Sequence, residues 1–246
     1  VLVLMYTIHK QIPLQLVTMH HGDGTPFAAD PRHALVAVLD RFAQQGLSVI
    51  AACELEFYLV NKDGGLTAAT DPVTGRVLDQ TAVLSLRELD HFEAFFNDVE
   101  GGAALMGIDP LTITSEAGVG QFEITMTHGP ALKIADDIIL LKELIKGTAR
   151  KHGMAATFMA KPFAMESGNG MHTHFSVLDD QGQNVFMDQS KLEAAIAGCL
   201  DLFTDSTLFF APHANSFDRF LEGAHAPINA TWGYDNRTVA VRVPGG

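Results

Sequence analysis

The spacing of apolar and polar positions predicts alternating strands and helices. In residues 49–60 β-forming residues cluster, and the two acids within them are two positions apart, which is the period of a β-strand. Strands of this kind that are near neighbours in the sequence mostly pair antiparallel, with helices packed against one face. We therefore predict an α+β fold around an antiparallel sheet. The predicted strands lie in 1–18, 49–60, 111–127 (two strands and a glycine turn), 154–160, 170–178 and 238–243.

Apolar residues at helical spacing, preceded by capping residues, predict the helices. Asp30-Pro31 supplies a cap and a first-turn proline for a helix that ends at Gly46. Ser85 and Glu88 form a capping box that opens a second helix. A long helix is predicted from Pro130 to Lys151, and a last one opens at 190–193. A turn is expected at 63–65 and a loop at 161–169.

The predicted strands carry polar residues in alternation with the apolar ones. A lone Glu-x-Glu is often the solvated face of a strand, but several such rows together predict one cleft. Buried carboxylates are costly unless a cation offsets them, so the rows indicate a site for hard divalent ions and phosphoryl chemistry. Zinc held by two histidines is a weaker alternative, because the carboxylates suit magnesium better. The rows are Glu54 and Glu56, then Gln121, Glu123 and Thr125 (with Glu116 seven residues before Glu123), then His172, His174 and Ser176.

Composition excludes several classes of protein. The chain has 246 residues, of which 47% are hydrophobic, as expected for a globular fold with a substantial core. A formal net charge of −13 argues against a nucleic-acid partner. No apolar stretch has transmembrane length, so no membrane partner is expected. Cys53 and Cys199 are the only cysteines, which favours a reducing compartment and a cytoplasmic location.

Five sequence blocks between residues 54 and 244 together resemble the catalytic domain of the glutamine synthetase family. The resemblance implies that family's fold, a curved antiparallel sheet with helices packed outside. It also implies ligation of glutamate to an amine: ATP phosphorylates the γ-carboxylate, and the amine then displaces phosphate. The blocks are Glu54-x-Glu56, Glu116 with Gly120-Gln121-Phe122-Glu123, Gly168-Asn169-Gly170-Met171-His172-x-His174-x-Ser176, Asn215-Ser216-Phe217-Asp218-Arg219, and Asn236-Arg237-Thr238 with Arg242-Val243-Pro244.

The resemblance also implies a role for each matching residue. ATP and two divalent ions, Mg²⁺ or Mn²⁺, are the expected cofactors, and glutamate and a small amine are the expected partners. Arginine is expected where a carboxylate or phosphate must be bound. The implied metal ligands are Glu56, Glu116 and Glu123 for one ion and Glu54 and His172 for the other; His174, Ser176 and Arg242 contact the nucleotide; Gly168, His172 and Arg219 contact glutamate; and Arg219, Arg237 and His225 act in catalysis.

The sequence departs from the family pattern near the expected amine site. Ammonia-using members carry a glutamate where His225 stands, and Glu222 comes three residues too early to replace it. A neutral imidazole accepts a proton but binds ammonium poorly. Residues 232–240 resemble the branch that joins glutamate to polyamines such as putrescine, which makes a γ-glutamyl amine ligase the leading hypothesis and glutamine synthesis the alternative. Ser167 replaces the family's usual asparagine.

The resemblance implies that residues 1–246 are part of a catalytic domain. The family's amino-terminal β-grasp domain and its later Glu-x-Arg block have no counterpart in this stretch. The second metal would then have only Glu54 and His172, so we expect the isolated chain to have impaired activity or none. A homo-oligomeric ring is expected of the full-length form. A non-catalytic, regulatory relative is the competing hypothesis, although such proteins commonly lose the metal ligands retained here.

Overall fold

The structure, a computed structural model, describes residues 4–8, 12–62, 66–109, 111–224 and 226–245. The turn predicted at 63–65 lies outside them. The strands are β1 (Leu4–Ile8), β2 (Ile12–Leu16), β3 (Ser48–Asn61), β4 (Leu111–Ser115), β5 (Gln121–Met126), β6 (Gly129–Pro130), β7 (Met154–Thr157), β8 (Met171–Leu178), β9 (Trp232–Tyr234) and β10 (Val241–Val243). The helices are α1 (Pro31–Ala43), α2 (Leu86–His91), α3 (Glu93–Leu105), α4 (Ala131–Lys151), α5 (Gln189–Phe203) and α6 (Thr207–Phe210), with 3-10 turns at Val185–Met187 and Ala214–Arg219.

Strand β3 is the centre of the main sheet. It pairs antiparallel with β5, β6, β7 and β8, and β4 extends the sheet beyond β5. Glu54 on β3 pairs with Thr125 of β5 and with His172 of β8. A residue has one neighbour on each side of its strand, so β5 and β8 flank β3 on opposite edges. The three strands that carry the predicted polar rows are therefore direct neighbours.

Helices α3 and α4 cover the apolar face of this sheet. Cys53, Leu55 and Phe57 of β3 are at most 2% exposed, as their alternation with the glutamates predicts. Phe122 on β5 contacts the rings of Phe92 and Phe96, with centroids 5.3 and 5.1 Å away. Burial of this layer leaves the opposite face of β3, β5 and β8 for the polar rows.

The helix predicted to open at Ser85 is divided into α2 and α3. The Ser85 hydroxyl accepts a hydrogen bond from the Glu88 amide at 3.2 Å, which is half of the predicted capping box. The other half is absent because the Ser85 amide donates to Ser115 Oγ at 2.7 Å. The helical path breaks at Phe92, whose ψ is 13° and whose ring is buried against the sheet.

Other elements follow the predictions with local differences. Asp188, rather than Ser190, caps α5, and its carboxylate accepts from the Ser190 amide at 2.9 Å. Strand β7 ends at Thr157, earlier than predicted. The terminal strand β10 is shorter than predicted and pairs in parallel with β9, a strand that the sequence pattern did not indicate. No helix in the described residues is both long and apolar enough to cross a membrane.

Candidate active site

The strand register brings the predicted polar rows onto one face of the sheet. Glu56 on β3 pairs with Glu123 on β5, and Glu54 pairs with His172 on β8. Paired residues point to the same face of an antiparallel sheet. Two-residue alternation along each strand then adds His174 to this face. The prediction that three polar strands converge is confirmed by this register.

Glu54, Glu123 and His172 lie close enough on this face to bind one ion together. One ligand atom from each lies within 4.8 Å of the others. His172 Nδ1 is 2.7 Å from Glu54 Oε2, and His174 Nε2 is 2.8 Å from Glu54 Oε1. The sequence prediction divided these residues between two ions, with Glu123 in one set and Glu54 and His172 in the other. The structure places the two sets next to each other, around Glu54.

Two carboxyl groups of the site, Glu116 and Glu123, have raised pKa values because they are partly buried and close to other acids. Burial, followed by the charge of Glu54, raises the pKa of Glu123 to about 7. Burial, followed by the charge of Glu56, raises the pKa of Glu116, although Arg237 opposes this rise. A set of partly buried acids that resist ionisation is stabilised by a bound cation.

Glu54 behaves differently from the other acids. Its hydrogen bonds to His172 and then to His174 lower its pKa far below the ordinary value of 4.5. The same bond to Glu54 raises the pKa of His172. Glu54 thus stays ionised, and both histidines are oriented by it. Hydrogen bonding of this kind fixes the direction of a metal-binding imidazole.

Arg219 and Glu56 both lie close to Gly170. The Gly170 amide donates to Glu56 Oε2 at 2.7 Å. A Cβ atom added to Gly170 would lie 3.3 Å from Arg219 Nη2 and 3.4 Å from Glu56 Oε1. Burial lowers the pKa of Arg219 and the charge of Glu56 opposes this change. The guanidinium is therefore held beside the acidic group, where it can bind a carboxylate.

Gly168 is required by the close approach of Arg219. A Cβ atom at this position would lie 2.7 Å from the Ala160 carbonyl oxygen and 2.8 Å from Arg219 Nε. Asn215, in the same 3-10 turn as Arg219, accepts from the Lys161 amide at 2.7 Å and donates to the Lys161 carbonyl at 3.0 Å. The arginine is thereby fixed against the loop that contains Gly168.

The remaining predicted residues occupy the margin of the site. Arg237 is close enough to Glu116 to affect its pKa, and Arg242 similarly affects His172. Ser176 pairs with Ile50, two positions beyond His174 on the same face. His225 lies outside the described residues, so its assigned role in catalysis stays a prediction.

The sequence indicated no role for three residues that support the site. Gly170 supplies the amide that binds Glu56, whereas Tyr58 on β3 and Asn169 in the loop before β8 are buried polar residues. Tyr58 is two residues beyond Glu56, so the period of the strand was the signal that places it on the polar face. Asn169 gave no comparable signal, because its contacts depend on how the loop before β8 folds.

The fold and the acidic site define a class of protein, and comparison with known sequences identifies it. Residues 28–246 match the family "Glutamine synthetase, catalytic domain". The chain belongs to this family and has the fold of its catalytic domain.

Individual relatives agree with this assignment. The γ-glutamylputrescine synthetase PuuA of Escherichia coli K12 is 39% identical over 241 residues, which cover 94% of this chain and 51% of that protein. A glutamine synthetase of Pyrococcus horikoshii is 34% identical over 244 residues, covering 96% and 53%. The solved structure of apo GmaS superposes with a TM-score of 0.83 at 30% identity, covering 94% of this chain and 54% of that one. The chain thus spans about half the length of the relatives it matches.

Proposed function

We propose that the protein is an ATP-dependent ligase that joins the γ-carboxylate of glutamate to an amine, with a polyamine such as putrescine as the leading candidate. The observation that supports the proposal most strongly is that Glu54, Glu123 and His172 lie together on one face of the sheet, with Glu56 and Arg219 both close to Gly170. Family membership supports the reaction type. Phosphoryl transfer between two anionic substrates requires positive charge, which divalent ions held by these carboxylates would supply.

The residues of the site fit divalent ions. Carboxylate oxygens with one imidazole are ligands that Mg²⁺ and Mn²⁺ accept, and a bound cation would offset the burial and the Glu54 charge that raise the pKa of Glu123. Glu56, Glu116 and Glu123 would hold one ion, and Glu54 and His172 would hold a second. When bound, these ions supply positive charge to the phosphoryl group being transferred.

The arginines of the site would bind the anionic groups of the substrates, and Gly168 would leave room for glutamate. Arg219 is positioned to pair with a carboxylate of glutamate, and Gly168 allows the backbone to approach it. Arg237 and Arg242 neutralise phosphate charge as the phosphoryl group moves. His174 and Ser176 adjoin the nucleotide. In this scheme the protein mainly positions the substrates and excludes alternative orientations.

Two observations support an organic amine over ammonia. The relative from Escherichia coli is named for putrescine. A cavity of about 300 Å³ lies in the segment after Arg219, and its lining mixes apolar residues such as Leu221 and Ile228 with polar ones such as Glu222 and Asn229. A mixed lining that includes one acidic residue suits an aliphatic amine. Ammonia is the alternative co-substrate.

The test is ADP release by the complete gene product with ATP, Mg²⁺ and glutamate. Putrescine, ammonium or no amine is added in parallel reactions, and the γ-glutamyl product is identified by mass spectrometry. Putrescine-dependent ADP formation with γ-glutamylputrescine as product supports the proposal, and a preference for ammonium supports glutamine synthesis. Substrate binding without ADP release would contradict a ligase and favour a regulatory relative. We further propose that the complete product assembles as a homo-oligomer, which sedimentation of the same sample measures.

A further inference from the structure

We propose that Gln121 is a positioning residue whose side-chain amide connects the turn that carries Glu116 to the loop that carries Gly168. It would thereby set the distance between the metal-binding and glutamate-binding sides of the site. The substrates in this inference rest on the proposed function, whereas the connection itself rests on geometry alone.

Gln121 extends the polar row of β5 into the interior. It pairs with Tyr58, two positions along from the Glu56–Glu123 pair, so all four side chains point to the same face. Gln121 is only 1% exposed and Tyr58 is fully buried. A buried primary amide is costly unless its donors and acceptor are satisfied. The hydrogen-bond partners of the Gln121 side chain therefore indicate which parts of the site it connects.

Both the oxygen and the nitrogen of the Gln121 side-chain amide form hydrogen bonds. Its Oε1 accepts from the Gly118 amide at 2.9 Å, within the turn between β4 and β5. Its Nε2 donates to the Gly168 carbonyl at 3.2 Å and to Asn169 Oδ1 at 3.0 Å. The first contact holds the turn that follows Glu116, and the other two hold the loop beside Arg219. One side chain thus spans both loops.

Two neighbours make this connection rigid. Asn169 Nδ2 donates to the carbonyls of Thr157 and Met159 at 3.3 and 2.9 Å, so its Oδ1 is left facing Gln121. Tyr58 donates to the Ser167 carbonyl at 2.6 Å. A Cβ atom on Gly118 would lie 1.8 Å from the Tyr58 hydroxyl oxygen, so the turn is packed directly against this tyrosine. Fully satisfied buried networks of this kind specify one arrangement.

Glutamine is the side chain that these partners require. The Gly168 carbonyl and Asn169 Oδ1 need donors, which a glutamate carboxylate cannot supply. A carboxylate would also add negative charge to the row that ends in Glu123 and Glu56. Methionine has a similar length but neither donates nor accepts as an amide does. The variants Gln121→Glu and Gln121→Met therefore remove the connection in different ways.

The test compares Gln121→Met with Val99→Ala in the complete gene product. Val99 is fully buried in α3, on the apolar face, so its truncation destabilises the fold without touching the site. Hydrogen exchange without metal is followed in peptides covering 116–121 and 160–170, and Mn²⁺ affinity is measured without substrates. Losing a residue that orients metal ligands typically weakens binding about 10–100-fold.

We expect Gln121→Met to accelerate exchange in both peptides and to weaken Mn²⁺ binding about tenfold, and Gln121→Glu to accelerate exchange at least as strongly. Val99→Ala should change Mn²⁺ affinity less than about twofold. Equal effects of Gln121→Met and Val99→Ala would overturn the inference. If Gln121→Met does not fold, Tyr58→Phe removes only the hydroxyl that binds the Ser167 carbonyl; unchanged exchange at 160–170 would then contradict the connection. Neither readout needs turnover, so an inactive gene product would refute the proposed function and not this inference.

Discussion

Replacing Glu123 by glutamine should stabilise the metal-free protein at alkaline pH. The pKa of Glu123 rises from its ordinary value of 4.5 to about 7 in the folded state, mainly because the carboxyl is buried. Between these values the folded state binds more protons than the unfolded state, so stability falls as pH rises. One pKa unit corresponds to about 1.36 kcal/mol, which gives an upper bound of about 3 kcal/mol above pH 7.

Solvent screening of this half-buried group reduces the effect, so we expect about 1–3 kcal/mol at pH 8 and less than about 1 kcal/mol at pH 5. Urea unfolding of wild type and Glu123→Gln, with EDTA at both pH values, measures the difference. Glu100→Gln on the exposed side of α3 is the control, and it should change stability by less than about 0.5 kcal/mol at either pH. Equal stability of Glu123→Gln and wild type at pH 8 would refute the reasoning.

Three further predictions concern metal binding, glutamate binding and the apolar core. Mn²⁺ should bind more tightly at pH 8 than at pH 6, because Glu123 must lose its proton, and calorimetry in buffers of different ionisation enthalpy should detect proton release on binding. Gly168→Ala should raise the KM for glutamate with little change in Mn²⁺ affinity, because its Cβ atom would displace Arg219; Gly198→Ala, with nothing within 4 Å of the new atom, is the control and should retain the wild-type KM. Phe122→Ala should lower the free energy of unfolding by about 3–5 kcal/mol in urea titrations, because it empties a fully buried ring position in the aromatic layer.

Strand alternation was enough to predict which side of the sheet carries the site. In β3 the glutamates and the apolar residues fall on opposite faces because the side-chain period is two, and no tertiary information is needed for that conclusion. The long helix α4 was equally predictable, since its apolar spacing continues to Lys151 and Gly153 follows. These features depend on local sequence only.

The connections between loops were not predictable in the same way. The incomplete capping box of α2 depends on Ser115, which is 30 residues from Ser85 and accepts the hydrogen bond of the Ser85 amide. The contact of Gln121 with Gly168 joins residues 47 positions apart, and the alternation pattern showed only the face on which Gln121 lies. Likewise, grouping the ligands around Glu54 required the register of β8 on β3, which sequence periodicity does not fix.

Mn²⁺ titration of the complete gene product, followed by electron paramagnetic resonance, measures whether carboxylates and a histidine from β3, β5 and β8 form a divalent-ion site. We predict saturable Mn²⁺ binding that Mg²⁺ displaces, a large loss of affinity in Glu54→Gln, and wild-type affinity in Glu100→Gln. No Mn²⁺ uptake by the wild-type protein, or unaltered affinity in Glu54→Gln, would contradict the account.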